Sequence, residues 1–358
     1  MPNIRKQTGG ANPVFARRVL ASWRARAAAA AVAVGAQVFS LGAGVLMTVS
    51  LNAMWLAALA AVPASVLAAL GARRVLAQRL SKGEIGGLSR ALLAALCLTL
   101  AAAGIFQVAA LTALSEQSLL PQAQSLFVAL SGMTAAALCA LTGGAGVARM
   151  AYAVRWALPL MLAVLTASVL SFDTPAGLFP LLGTGAKALG LSALMALSAA
   201  APALMLTLPP PELDERGQAM APGGWFFAWR AGLGALGAVL LLMAVSLCGT
   251  YETLSELKVW GMRMRVVCSG KPREGILQTG LTLLQLLSLV IGASAMLSGA
   301  EQAAVRAFSG LARRRLGLGL LFLLGCGALY ALVVFGFDIA LRAAPFLLVP
   351  TVVLLIRA

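Results

Sequence analysis

Two stretches of this chain place glycine, proline and small polar residues inside runs that are otherwise apolar. The first is Gln37-Val38-Phe39-Ser40-Leu41-Gly42-Ala43-Gly44. Gly42 and Gly44 lower the cost of leaving helical geometry and bare the backbone, so that its amides can receive a carboxylate. Close helix packing through small residues would use the same pattern. The second stretch runs from Leu191 through Ser198 to Pro202. Pro202 has no amide hydrogen, so a carbonyl about one turn earlier is freed, and the Ser198 hydroxyl lies four residues before it. An ordinary proline kink would also give this pattern.

The remaining polar residues within apolar runs are few: Gln107, and then Gln278, Thr282, Gln285 and Ser288. Each can serve as an interhelical hydrogen bond or as a ligand contact. No Asp, Glu, Lys or Arg falls in the middle of an apolar run, where proton relays and charge-driven pumps carry such residues. The chain has no histidine, no Walker-type glycine loop, no CxxC and no pair of neighbouring carboxylates suited to acid–base work. Catalysis, metal binding and cofactor binding are not expected.

The elements that must carry these residues are transmembrane helices. Of 358 residues, 61% are hydrophobic and 11% charged, and the mean hydropathy is +0.95. Soluble domains carry roughly 25% charged residues. The composition excludes a soluble enzyme, a disordered regulator and a nucleic-acid-binding domain. Runs of the roughly 20 apolar residues that a span requires fall at 27–50, 52–71, 88–113, 122–142, 152–171, 187–208, 226–248, 276–298, 316–335 and 341–357. This predicts an all-α polytopic protein of about ten spans, with the basic N-terminus feeding the first span instead of acting as a cleaved signal.

The net charge of +16 sits between the apolar runs. With the N-terminus inside, twenty of the 27 Lys and Arg fall on the cytoplasmic side, which places both termini there. The 249–275 segment runs against this bias, with Lys258, Arg263, Arg265, Lys271 and Arg273. Its mixed apolar and basic pattern predicts an external amphipathic helix. Asp338 and Arg342 are spaced for an ion pair, and Glu212, Asp214 and Glu215 form an acidic cytoplasmic loop. Cys97, Cys139 and Cys326 lie in apolar runs, while Cys248 and Cys268 flank one loop, where pairing is open.

Ten spans divide into five plus five. In transporters built of inverted repeats, ligand binds at mid-membrane where corresponding helices unwind. The division gives a cytoplasmic basic tail at 1–26 and repeats at 27–171 and 172–357, with the interrupted first and sixth helices as the corresponding pair. The candidate ligand-binding residues are Gln37, Ser40, Gly42, Ala43, Gly44, Gln107, Ser198, Pro202 and Gln285.

Several short motifs, in order, resemble the spore germination permease family, the B subunit of germinant receptors, within the amino acid–polyamine–organocation superfamily. Ser40-Leu41-Gly42-Ala43-Gly44-Val45-Leu46 is similar to the glycine-x-glycine break of that superfamily's first helix. Asn52-Ala53-Met54-Trp55 resembles the start of its second helix, and Gly144-Ala145-Gly146-Val147-Ala148-Arg149 the turn into its fifth. Phe179-Pro180-Leu181-Leu182-Gly183-Thr184-Gly185 resembles the lead into its sixth, and Lys271 to Gln278 the lead into its eighth. The resemblance implies a leucine-transporter-like 5+5 inverted repeat in the inner membrane of a bacterial spore. It also implies recognition of a small-molecule germinant, commonly an amino acid, and assembly with the germinant receptor A and C subunits. A mid-membrane lysine in the fifth span and a Ser/Thr pair in the eighth are missing, which favours sensing over ion-coupled transport; an amino-acid permease performing net transport is the alternative.

Overall fold

A computed structural model describes residues 13–82, 90–118, 124–156, 160, 181–208, 222–248, 275–308 and 316–335. Among these residues the structure is helical throughout, with no strand. The expected amphipathic segment at 249–275, the acidic loop at 212–215, the Asp338–Arg342 pair, Cys268, the tenth span and most of the fifth lie outside the described residues.

The order begins with α1 (Pro13–Leu41), a π-helical segment (Gly42–Leu46), α2 (Met47–Ser50) and a 3-10 turn (Leu51–Ala53). It continues with α3 (Met54–Ala58), α4 (Ala61–Lys82), α5 (Arg90–Ser118), α6 (Ser125–Leu141) and α7 (Gly143–Val154). Next come α8 (Ala186–Ala196), a 3-10 segment (Leu197–Thr207), α9 (Gly224–Cys248), α10 (Gly275–Ala307) and α11 (Leu316–Phe335).

Among the described residues six stretches are long and apolar enough to cross a membrane: Ser22–Leu46, Leu51–Val75, Leu92–Ser115, Ala186–Thr207, Gly224–Ala244 and Thr282–Ala307. The pair α6–α7, bent by 110°, makes a seventh if it is one span. The bend falls at Gly143, whose φ of +82° suits a residue without a Cβ. All six match spans expected from hydropathy, and the protein is an integral membrane protein.

The interior explains the alanine and glycine content. Lipid tails are as apolar as leucine, so helices in a bilayer associate by close packing across small residues. α1 is the most enclosed helix, with Ala27, Ala28, Ala29, Ala30, Ala33 and Ala36 all buried. A Cβ on Gly234 of α9 would fall 2.2 Å from the Ala31 carbonyl oxygen of α1, so the two backbones touch there. α5 and α10 meet through Gly104 against Met296 and through Gly299 against Leu100. Large apolar side chains such as Leu98, Phe127, Leu138 and Leu323 point outward, as a lipid-facing surface requires. Trp225 and Trp229 are exposed at the start of α9, beside Arg230, as in an interfacial aromatic belt.

One end of the bundle is basic. There Trp23 of α1 meets Phe227 of α9 edge-on at 5.6 Å. Arg73 of α4 stacks its guanidinium against both rings and donates from Nε to the Pro222 carbonyl at 3.2 Å.

Candidate functional site

The first span breaks where its two glycines lie. After 29 α-helical residues the backbone widens to π geometry over Gly42–Leu46. It resumes for one turn of α2 and then stops at Leu51, whose φ of 47° is strained for a residue with a side chain. Rare π segments inside helices concentrate at functional sites. The end of this broken helix is met by the lead into the sixth span. Gly183, at φ +56°, lies so close to Ser50 that a Cβ would fall 2.1 Å from the Ser50 carbonyl oxygen. Thr184 donates its hydroxyl to the Val49 carbonyl, satisfying one of the carbonyls that a helix end leaves free.

The sixth span is irregular over a longer stretch. α8 passes at Leu197 into eleven residues of 3-10 helix that contain Pro202. Runs of 3-10 helix beyond three or four residues are uncommon. Here the missing Pro202 amide and the tight packing of Ser198–Leu208, all buried, hold the tighter winding. Ser198 donates to the Met195 carbonyl at 2.6 Å, three residues back, and closes the junction between the two helix types.

Between these breaks lies a polar level. Gln37 of α1 and Gln107 of α5 are both fully buried. Gln107 Nε2 donates to Gln37 Oε1 at 3.1 Å and to the Ala33 carbonyl at 3.0 Å. Gly292 of α10 gives the amide its space, since a Cβ there would fall 2.3 Å from Gln107 Oε1. The pair leaves two atoms without a partner: Gln37 Nε2, a donor, and Gln107 Oε1, an acceptor. An unpartnered buried polar atom costs about 1–3 kcal/mol, and ligand binding is one way to recover it.

The depth of the sixth-span junction follows from helix rise. Arg26 binds the Met205 carbonyl, which fixes α1 and the 3-10 segment at one height. Gln37 lies eleven residues farther along α1, about 16 Å at 1.5 Å per residue. Ser198 lies seven residues back from Met205, about 14 Å at 2.0 Å per residue. The two glutamines and the α-to-3-10 junction therefore occupy nearly the same level.

The other expected residues take varied places. Ser40 is buried on the face of α1 that carries Gln37 and donates back to the Ala36 carbonyl at 2.7 Å. Gly42 packs against Leu242 of α9, where a Cβ would fall 2.2 Å from Cδ1, so at this position the glycine serves packing. Ala43 and Gly44 lie within the π segment. Pro202 is buried within the 3-10 segment. Gln285 is buried on α10, seven residues from Gly292 and so about 10 Å along the axis from the glutamine pair. The structure thus brings Gln37, Gln107 and Ser198 to one level, with the break at Gly42–Leu46 slightly more than a turn beyond. Ser192 was not singled out from the sequence; its hydroxyl is buried on α8 without a partner. Its only signal in the sequence is a position six residues before Ser198.

Among the described residues no group of three or more His, Cys, Asp or Glu could hold a metal ion. The free thiols Cys97, Cys139 and Cys326 lie on α5, α6 and α11.

No family model matches the chain, and no curated protein matches it. Solved structures do. A glutamate-to-glutamine variant of the manganese transporter of Eremococcus coleocola aligns with a TM-score of 0.50 at 15% identity, covering 96% of this chain and 78% of that one. A histidine-to-alanine variant of the same transporter aligns over the same shares at 15% identity with a TM-score of 0.49. The likeness shows a membrane-transporter-like fold.

Proposed function

We propose that this chain binds a small zwitterionic or neutral organic ligand, of the amino-acid class, at the level of Gln37, Gln107 and Ser198 between its interrupted first and sixth spans. The observation that carries this reading is the unpartnered pair at the centre of the bundle. Gln37 Nε2 is a free donor and Gln107 Oε1 a free acceptor, both buried. A carboxylate can accept from the first and an ammonium donate to the second. The π segment at Gly42–Leu46 lies slightly more than a turn beyond the pair, where the helix winding changes.

Binding would favour one arrangement of the bundle over another, in a transport or a sensing role. The sensing form is a germinant receptor subunit of a spore inner membrane, with both termini cytoplasmic and with A and C partner subunits. It rests on the short sequence resemblances alone. The other form is net transport by an amino-acid permease. A cargo of manganese, named for the structural neighbour, fits the residues less well. Residues 22–50 and 186–208 contain no Asp, Glu, His or Cys, whereas divalent manganese suits carboxylate-rich oxygen sites.

Equilibrium binding of radiolabelled amino acids to the detergent-purified chain tests the site. Saturable binding that is lost in Gln37→Leu and Gln107→Leu supports it. Concentrative, gradient-dependent uptake into proteoliposomes would select transport over sensing alone.

A further inference from the structure

α7 leaves the path of α6 at Gly143, where the two helices are bent by 110°. A helix turned this far from a span runs nearly crosswise to it. At twelve residues α7 is about 18 Å long, short of the roughly 30 Å that a crossing needs. Its two faces differ. Gly144, Val147, Ala148 and Ala151 recur at three- and four-residue steps and are buried, and α7 packs on α1 and α10. Arg149 and Tyr152 are exposed on the other side, as is Trp156 just past the helix. Arg155 stacks on the Tyr152 ring at 3.6 Å, lies 5.4 Å from the Trp156 ring, and donates from Nη1 to the Tyr152 carbonyl at 3.1 Å. Two cations and two aromatic rings therefore share one outer surface. Residues 117–172 contain no Asp or Glu, so their own segment supplies no opposite charge.

The height of α7 in the bundle is set where it begins. A Cβ on Gly144 would lie 3.3 Å from Arg26 Nη1, and Arg26 is three residues, about 4.5 Å, along α1 from Trp23. Trp23 meets Phe227, which lies between the exposed Trp225 and Trp229 of α9. α7 thus starts near the height of the aromatic belt at the basic end and, running crosswise, keeps Tyr152 and Trp156 close to that height. Rings with an apolar body and a polar edge settle at the headgroup level of a bilayer. A helix with apolar packing on one side and cations with aromatic residues on the other suits the plane of that interface.

We propose that the outer face of α7 binds acidic phospholipid of the phosphatidylglycerol class. Arg149 and Arg155 attract the headgroup phosphate, and Tyr152 and Trp156 seat at the boundary between headgroups and acyl chains. Because α7 rests on α1 and α10, lipid bound there stabilises the folded bundle. This surface is separate from the proposed ligand level and does not depend on it.

The test uses the full chain in neutral detergent and reads its unfolding temperature. The probes are phosphatidylglycerol, phosphatidylcholine with the same acyl chains, and inorganic phosphate. Phosphatidylglycerol should raise the unfolding temperature saturably, and phosphatidylcholine and inorganic phosphate should not; added salt should weaken the effect. Arg149→Gln/Arg155→Gln should weaken the apparent affinity about thirtyfold, from about fivefold for each arginine beside an anionic lipid surface. Arg149→Lys/Arg155→Lys keeps both charges and should retain most of the affinity. Arg149 is exposed, so Arg149→Gln alone, with a loss of about fivefold, keeps the test informative if the double variant does not fold. Absence of a saturable phosphatidylglycerol shift in folded wild-type protein would overturn the proposal. An equal shift with inorganic phosphate would assign the site to a free anion and overturn it as well. So would wild-type affinity in Arg149→Gln/Arg155→Gln, or loss of the shift in Arg74→Gln/Arg230→Gln instead, which would place the lipid against α4 and α9.

Discussion

Gln37 and Gln107 form a buried amide pair with one bond between them and one unused atom on each. This makes their substitution effects non-additive. Gln107→Leu leaves Gln37 buried without its partner and should destabilise the protein by about 1–3 kcal/mol. Gln37→Leu/Gln107→Leu removes both polar groups and should recover most of that loss, while ligand binding stays abolished. Unfolding in mixed detergent, measured for the two single variants and the double, checks the pattern. Gly183 combines a positive φ with close backbone contact. Its φ is +56° and its Cα faces the Ser50 carbonyl, so Gly183→Ala should cost roughly 2 kcal/mol or more. At this scale the sequence made the buried glutamines visible as rare polar residues in apolar runs. Their pairing was hidden, because hydrogen-bond partners 70 residues apart leave no local spacing to read. In the sequence Arg26 reads as the last basic residue of the tail before the first span. The helix runs unbroken from Pro13, and Trp23, Arg26, Ala30, Ala33, Gln37 and Ser40 follow at three- and four-residue steps on one face. That periodicity was the available signal that Arg26 turns inward.

At the scale of elements, the first and sixth spans were legible as interrupted because glycine and proline act locally on the backbone. The form of each interruption was not. A π segment at Gly42–Leu46 and eleven residues of 3-10 helix depend on what packs against them. Gly42 shows this: its role is set by Leu242, 200 residues away in the chain. Gly42→Ala should therefore destabilise the bundle, and a second change, Leu242→Ala, should restore part of the loss by making room for the added methyl. A thermal unfolding series on the two singles and the double would show it; equal and additive losses would count against direct packing. Pro202 keeps the sixth span from regaining regular α-helical bonds. Pro202→Ala should raise thermal stability and weaken ligand binding together, since a regular helix no longer exposes the junction at Ser198.

For the whole molecule, six spans agree with the expected positions, and the transporter-like fold agrees with the reading of hydropathy and helix breaks. The 5+5 repeat requires the fifth and tenth spans, which fall largely outside the described residues. The basic end carries Arg24, Arg73, Arg74, Arg230 and Arg306 on the described helices, while the first turn of α8 at the opposite end carries Lys187. By the positive-inside rule we propose that the basic end faces the cytoplasm. With a membrane-impermeant maleimide applied to intact cells, Lys187→Cys should be labelled and Arg74→Cys protected, since both positions are exposed on the protein surface. The reverse pattern would invert the orientation.

The central claim is that the polar level between the interrupted spans is a ligand site. A thermal-shift screen of the purified wild-type chain and of Gln37→Leu/Gln107→Leu against the common amino acids tests it most directly. At a hundred times its Kd, a ligand stabilises the native state by about 2.7 kcal/mol. The account predicts a selective shift in the wild type that is absent from the folded double variant. A shift of equal size in both proteins, or none with any amino acid in protein shown to be folded, would contradict it.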